Sequence, residues 1–188
     1  LYMGIRTAWS DSETPDEIVE ELNTNFYGNA SEEMSNYWDF IDHIWVDTPE
    51  YSGCGFGHMR RFTPARMAKS RELMNAAVAA CETETEKFRV RLANDSLSLF
   101  ESFMQMRRDL AEGRFEKLAG RAKGYRTRVV ELAEKYKPQY AFGMMRWTRG
   151  DSLYGKYFGS FYQKTYRDAT RIATDFKVLT RPPLHEWK

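Results

Sequence analysis

One short set of residues in this 188-residue chain has the spacing of a metal site. Asp39, Asp42 and His43 stand at i, i+3 and i+4 of a predicted helix, so a carboxylate and an imidazole share one face. Both groups are ligands that divalent metal ions accept. His58 is the nearest further candidate ligand in the sequence, and no zinc-protease spacing accompanies it. We therefore expect a solvated helix face at these positions, with neither a metal ion nor a cofactor.

Motifs for covalent or phosphate chemistry are also missing from the pattern. Gly53, Gly55 and Gly57 alternate and are not followed by Lys-Ser/Thr, so they predict an irregular loop and not a nucleotide-binding turn. Cys54 and Cys81 could pair or stay free, and their spacing matches no metal-binding motif. We find no nucleophile elbow and no paired catalytic acid and base, and we predict no catalytic residue in this chain.

Aromatic residues are concentrated between positions 136 and 166. The cluster consists of Tyr136, Tyr140, Phe142, Trp147, Tyr154, Tyr157, Phe158, Phe161, Tyr162 and Tyr166. Exposed Tyr and Trp rings suit stacking on sugars or docking of another domain, whereas rings on a helix stripe pack in a core. Tyr140, Trp147 and Tyr154 lie in or beside the connection 137–153, away from that stripe. With Arg149 they are our candidate residues for ligand or domain docking, and core packing is the alternative.

Arg149 also belongs to an Arg-Gly-Asp tripeptide, the sequence of some adhesion motifs. The tripeptide follows Trp-Thr in a predicted turn before a helix. Asp151 is suited to accept hydrogen bonds from the first free N–H groups of that helix. We therefore interpret it as a helix cap.

The elements that would position these residues are predicted to be helices. Thr-Pro-Asp-Glu at 14–17 is a capping box with Pro at the first helical position. Ile18, Leu22 and Phe26 follow at steps of four and predict the buried face, and Gly28 is expected to end the helix in the left-handed conformation. Ser-Glu-Glu-Met at 31–34 suggests a second capping box, opening a helix to about Val46.

Further helices follow the same reasoning. Thr-Pro at 63–64 predicts a helix start, and apolar spacing predicts long helices from about 85 to 111 and from 115 to 136. Another is expected from 154 or 159 to 176. Short connections at 82–84 and 112–114 require antiparallel neighbours. We predict an all-α, antiparallel up-down bundle of about five to six helices over 14–176, with irregular or extended segments at 1–13 and 177–188.

The overall charge sets limits on partners. Charged residues make up 29% of the chain and the net charge is +1, with acidic and basic residues expected to alternate along helix faces. That pattern argues against a nucleic acid as partner. No apolar run is long enough to span a membrane. Because the first residue is Leu1, we expect the chain to be part of a longer protein.

Three short stretches resemble a known family. They are Trp-Ser-Asp at 9–11, the acidic helix leading to Phe-Tyr-Gly-Asn-Ala at 26–30, and Phe-Thr-Pro at 62–64. The chain resembles, over about 2–115, the helical domain after the (β/α)8 barrel of bacterial glycoside-hydrolase-like proteins. These proteins were catalogued as a domain of unknown function and are distantly similar to α-glucuronidases and hexosaminidases. At the position of Asn29 the members of this family usually have Pro.

The resemblance implies a function for the chain. In such proteins the catalytic carboxylates lie on the barrel and a β-sandwich often follows the helices. We therefore expect an accessory domain that braces a barrel, with the barrel, the sandwich and a polysaccharide as partners and no catalytic residue of its own. The resemblance also implies a secreted, periplasmic or cell-surface location. A stand-alone helical protein-interaction module is the alternative.

The aromatic cluster yields a testable prediction. Replacing Trp147 by Ala should leave the thermal midpoint nearly unchanged, because an exposed loop ring stabilises the fold little, and should weaken binding of a neighbouring domain or an oligosaccharide. Differential scanning fluorimetry and a binding titration measure the two effects. Blue-shifted Trp147 fluorescence that a neutral quencher does not reach would show a core residue and contradict the docking interpretation.

Overall fold

The computed structural model describes residues 2–9, 12–47 and 60–136, and the regular elements in these ranges are helical. The helices are α1 Tyr2–Trp9, α2 Pro15–Tyr27, α3 Ser31–Val46, α4 Pro64–Ala80, α5 Glu84–Ala111 and α6 Phe115–Lys135. A 3-10 turn, Gly28–Ala30, joins α2 to α3. The predicted all-α bundle is confirmed. The helix predicted within 154–176 and the segment 177–188 lie outside the described residues.

The chain forms two compact units, residues 1–97 and 98–188, and α5 contributes to both. In the first unit α3 packs against α2 and α4. The core comes from α2, the 3-10 turn, α3, α4 and the first half of α5. Its buried members are Tyr27, Ala30, Met34, Tyr37, Met74, Ala77, Val90 and Leu97.

Local capping explains where most of these helices begin. At α2 the Thr14 hydroxyl accepts from the Glu17 N–H at 3.3 Å, and the Glu17 carboxylate accepts from the Thr14 N–H at 2.7 Å. This is the predicted capping box. Thr63 likewise accepts from the Arg66 N–H before α4. The box predicted at Ser31 is wrong, because Ser31 is already helical and the 3-10 turn leads directly into α3.

The buried face of α2 differs from the predicted one. Ile18 is fully buried, but Leu22 and Phe26 are each more than a third exposed. Asn23 and Tyr27 are buried in their place, and the Asn23 amide donates to the Ser35 hydroxyl of α3 at 2.8 Å. The face of α2 that packs against α3 is therefore rotated from the predicted face, and part of the apolar surface of α2 remains in solvent.

The segment 1–13 contains a helix, which differs from the irregular or extended end we expected. None of the side chains of α1 is buried. Its contact with α2 is polar: the Arg6 guanidinium donates to Glu21 at 2.9 Å and also binds Glu13. Trp9 at its end is 88% exposed.

The described part of the second unit consists of the second half of α5 and of α6. Gly113, with φ of 69°, closes the turn between them, which lies where the connection 112–114 was predicted. The buried residues fall on the apolar positions expected for both helices, although Phe100, Met104, Leu110 and Val129 at such positions are only half-buried. The buried residues are Leu99, Phe103, Met106, Leu118, Ala122, Tyr125, Leu132 and Tyr136.

Helix α6 offers a matched pair for a stability test. Leu132 is fully buried, whereas Val130 on the same helix is 49% exposed. We expect Leu132→Ala to lower the free energy of unfolding by about 2–5 kcal/mol, because it removes apolar contacts and leaves a cavity. Val130→Ala should change it by less than about 0.5 kcal/mol. Urea denaturation measures both, and equal losses would mean that the face of α6 is misassigned.

Candidate functional site

The carboxylate of Glu86 joins two distant parts of the first unit. Oε2 accepts hydrogen bonds from the backbone N–H groups of Glu82 and Thr83, both at 2.9 Å. Oε1 accepts from the N–H of Asn29 at 3.1 Å. The Thr83 hydroxyl in turn accepts from the Glu86 N–H at 3.2 Å, which completes a capping box at the start of α5. One side chain thus caps α5 and ties it to the turn between α2 and α3.

Gly28 makes this contact sterically possible. Its φ of 57° is positive as expected, but its ψ of −123° is not that of the left-handed helix we predicted. This backbone turns the chain directly into the 3-10 turn. A Cβ at Gly28 would also overlap Oε1 of Glu86. Glycine is therefore required here both for its backbone conformation and for the close approach of the carboxylate.

The same hydrogen bonds determine the ionisation of Glu86. Backbone N–H groups of Thr83, Asn29 and Glu82 stabilise the charged form and lower the pKa of the carboxyl to about 2, against the effect of burial. At neutral pH Glu86 is charged and accepts three backbone hydrogen bonds, which connect the start of α5 to the turn between α2 and α3.

Two further contacts also connect the end of α2 and the turn after it to the start of α5. We call this set of contacts, with the hydrogen bonds of Glu86, the Glu86 joint. The Arg89 guanidinium donates to the Phe26 carbonyl at 2.6 Å and lies 4.6 Å from the Phe26 ring centroid. The side-chain amide of Asn29 donates to the Glu82 carboxylate at 3.2 Å. Because the last carbonyls of a helix have no partner within it, Arg89 completes the hydrogen bonding at the end of α2.

Asp109 has a comparable position in the second unit. It lies in the last turns of α5, is almost fully buried, and accepts from Arg114 at 2.9 Å and from Arg121 at 2.7 Å. Burial alone would raise the pKa of Asp109, but hydrogen bonds from Arg114, Gln105 and Arg121 outweigh it and the pKa lies below its usual value. This carboxylate fixes the turn between α5 and α6.

An open apolar groove with a volume of about 390 Å³ lies between α2 and α3. We call it the α2–α3 groove. Trp38 is 41% exposed, and its indole N–H donates to the Tyr27 hydroxyl at 3.1 Å. Leu22 and Phe26, predicted to be core residues, line the groove together with it. The full lining is Val19, Leu22, Asn23, Phe26, Tyr27, Trp38 and Asp39.

The segment that forms both walls of this groove is acidic. Residues 12–47, which include α2 and α3, contain ten Asp or Glu and no Lys or Arg. The alternation of acidic and basic residues expected along all helix faces is therefore wrong for this part of the chain. Among the acidic side chains, Asp39 lines the groove and Asp42 is exposed one turn further along α3.

His43 binds the backbone of its own helix. Its Nδ1 lies 2.7 Å from the Asp39 carbonyl oxygen, so a protonated Nδ1 donates to it. That hydrogen bond raises the pKa of His43, and the nearby charges of Asp47, Asp42 and Asp39 add to the increase. In the ranges 2–9, 12–47 and 60–136, no group of three or more His, Cys, Asp or Glu is arranged to hold a metal ion.

The other predicted site residues are placed as follows. Tyr140, Trp147, Arg149 and Tyr154 lie outside the described residues, and the docking role assigned to them stays a prediction. His58 and Cys54 lie outside them as well. The Cys81 thiol donates to the Ala77 carbonyl at 3.2 Å, and burial is the main cause that raises its pKa.

Comparison with protein-family models, with curated proteins and with solved structures gave no match. No helix among the described residues has the length and apolar character needed to cross a bilayer. The family resemblance of the sequence therefore stays an expectation.

The lowered pKa of Glu86 leads to a prediction about acid stability. Between its usual pKa of 4.5 and its native pKa of about 2, the unfolded chain binds a proton that the folded chain does not. Stability from this group is therefore complete above pH 4.5 and lost as the pH falls to 2. Glu86→Gln should have a lower thermal midpoint than the wild type at pH 7, with the difference shrinking through this window.

Circular dichroism melts at a series of pH values measure this difference. Other acidic groups with lowered pKa values, such as Asp109 and Glu17, are common to both proteins and cancel in the comparison. Glu20→Gln, at an exposed position in the middle of α2, is the control and should melt like the wild type throughout. A constant difference between the wild type and Glu86→Gln from pH 7 to 2 would show that the pKa of Glu86 is not lowered in the folded chain.

Proposed function

We propose that this chain is an accessory helical domain of a multidomain, glycoside-hydrolase-like protein, and that it braces a catalytic barrel. The family resemblance suggests this role, and the observation that supports it best is that the buried carboxylates of Glu86 and Asp109 are occupied by hydrogen bonds that connect helices. The Tyr-Gly-x-Ala element, residues 27–30 of this chain, is the specific part of the resemblance. In the structure this stretch makes the contact that ties α2 and α3 to α5.

The chemistry of the buried carboxylates agrees with a bracing role. A general acid in glycoside hydrolysis needs a raised pKa and access to the substrate. Glu86 and Asp109 have lowered pKa values and are occupied by hydrogen bonds that connect helices. Under this proposal the catalytic pair belongs to the barrel, a β-sandwich follows the helices, and the protein acts on a polysaccharide at the cell surface, in the periplasm or outside the cell.

A second candidate function is a stand-alone helical protein-interaction module. The exposed apolar side chains of the α2–α3 groove favour it, because such surfaces commonly contact other proteins. The reading frame around the coding sequence separates the two candidates. A barrel encoded upstream and a sandwich downstream support the accessory domain, whereas a start and a stop immediately flanking the chain support the module.

The proposal also predicts the outcome of an activity assay. The purified 188-residue chain should hydrolyse a panel of aryl glycosides no faster than buffer, because under this proposal the acid and the nucleophile belong to the barrel. Release of the aryl alcohol is followed by absorbance, with a known glycosidase as positive control. Turnover that disappears when one carboxylate of this chain is replaced by its amide would contradict the accessory role.

A further inference from the structure

The α2–α3 groove has the shape of a site for another helix. Its walls are two packed helices, and it is open on one side. Val19, Leu22 and Phe26 follow each other at steps of three and four along α2, and the Trp38 ring faces them from α3. An amphipathic helix presents apolar side chains with the same spacing, so its ridge can lie along this row.

The charge of the surrounding surface restricts the occupant further. Asp39 lines the groove, and helical spacing places Asp16 and Asp42 along its two walls. Residues 12–47 contain ten Asp or Glu and no Lys or Arg, and of these ten Glu13 and Glu21 are paired with Arg6 of α1. Such a surface repels nucleic acids and anionic lipids and attracts Lys and Arg side chains.

One cation near the groove comes from α5. The Arg89 guanidinium stacks on the Phe26 ring and donates to the Phe26 and Asn25 carbonyls. It is therefore held at the end of α2 by these acceptors. Asp39 and Asp42, on the opposite wall, are exposed and remain accessible to a cationic partner.

We propose that the α2–α3 groove binds a basic amphipathic helix of a partner protein. The apolar ridge of that helix would contact Leu22, Phe26 and Trp38, and its Lys and Arg residues would lie against Asp39 and Asp42. Apolar contacts would supply most of the affinity, and the charges would increase the association rate and set the orientation. This proposal rests on the groove and its charge and does not depend on the proposed accessory function.

Synthetic peptides provide the first test. One peptide of about five helical turns carries Leu and Phe at i, i+3, i+4 and i+7 with Lys at the positions that flank this apolar face, and a second has Glu at every Lys position. Each is titrated into the full chain, with binding followed by fluorescence anisotropy and by heteronuclear NMR. We expect saturable binding of the basic peptide only, with the largest shifts at Leu22, Phe26 and Trp38.

Two pairs of variants test the apolar and the charged part separately. Leu22→Gln should weaken binding of the basic peptide by about tenfold, because Leu22 is an apolar anchor, whereas Val78→Gln on the exposed side of α4 should change it less than about twofold. Asp39→Lys should weaken binding by about fivefold at low salt and by less at high salt. Glu116→Lys on α6 changes the net charge equally and should have little effect.

Three results would overturn the proposal. One is equal binding of the basic and acidic peptides. Another is equal weakening by the groove variants and their controls, which would indicate nonspecific attraction to the acidic chain. The third is a set of NMR shifts in the groove caused by neutral oligosaccharides and not by the basic peptide, which would assign the exposed Trp38 ring to sugar stacking. Thermal melts of each variant establish that it is folded before binding is measured.

Discussion

The hydrogen bonds of the Glu86 carboxylate set the arrangement of the first unit. Three backbone N–H groups donate to its two oxygens. Two of these N–H groups lie immediately before α5, and the third, that of Asn29, lies 57 residues before Glu86 in the chain. The first N–H groups of a helix have no partner within it, and a buried donor without a partner is costly. Movement of α5 away from the turn at Gly28–Ala30 would leave the Asn29 N–H without this acceptor, while the two donors at the start of α5 would keep theirs.

The exposed groove follows from this arrangement. With Tyr27 and Ala30 turned into the core, the adjoining face of α2 leaves Leu22 and Phe26 partly exposed. Asp39 and the exposed Asp42 lie beside this apolar surface, and the repulsion between like charges on α3 is unfavourable for the compact state. A partner with Lys or Arg residues would remove this repulsion and cover the apolar side chains at the same time.

The second unit uses the same chemistry at a different turn. Asp109 accepts from Arg114 and Arg121, while the Arg114 N–H donates to the Asp109 carbonyl at 2.8 Å. In both units a buried carboxylate sits where one helix meets a turn, and hydrogen bonds keep it charged. Asn29 adds a feature of this chain: its N–H binds Glu86, whereas a Pro at that position would have no N–H to donate.

The sequence by itself determined the class of the fold and most helix limits. Capping residues such as Thr14 and Thr63 act on N–H groups three residues away, so their effect is visible in a short window. The buried face of α6 was also predictable, because its apolar residues form one narrow stripe. The Thr-Glu-Thr-Glu spacing at 83–86 contained the signal for the cap on α5, although our prediction did not use it.

Only the tertiary structure decided the orientation of α2 and the role of Glu86. Apolar residues occur on several sides of α2, so periodicity alone did not distinguish the side that packs from the side that lines the groove. The contact between Glu86 and Asn29 joins residues that are far apart in the chain, and no local pattern specifies such a pair. Which apolar surface is buried, and which remains open to a partner, depends on how α3 and α5 pack around that joint.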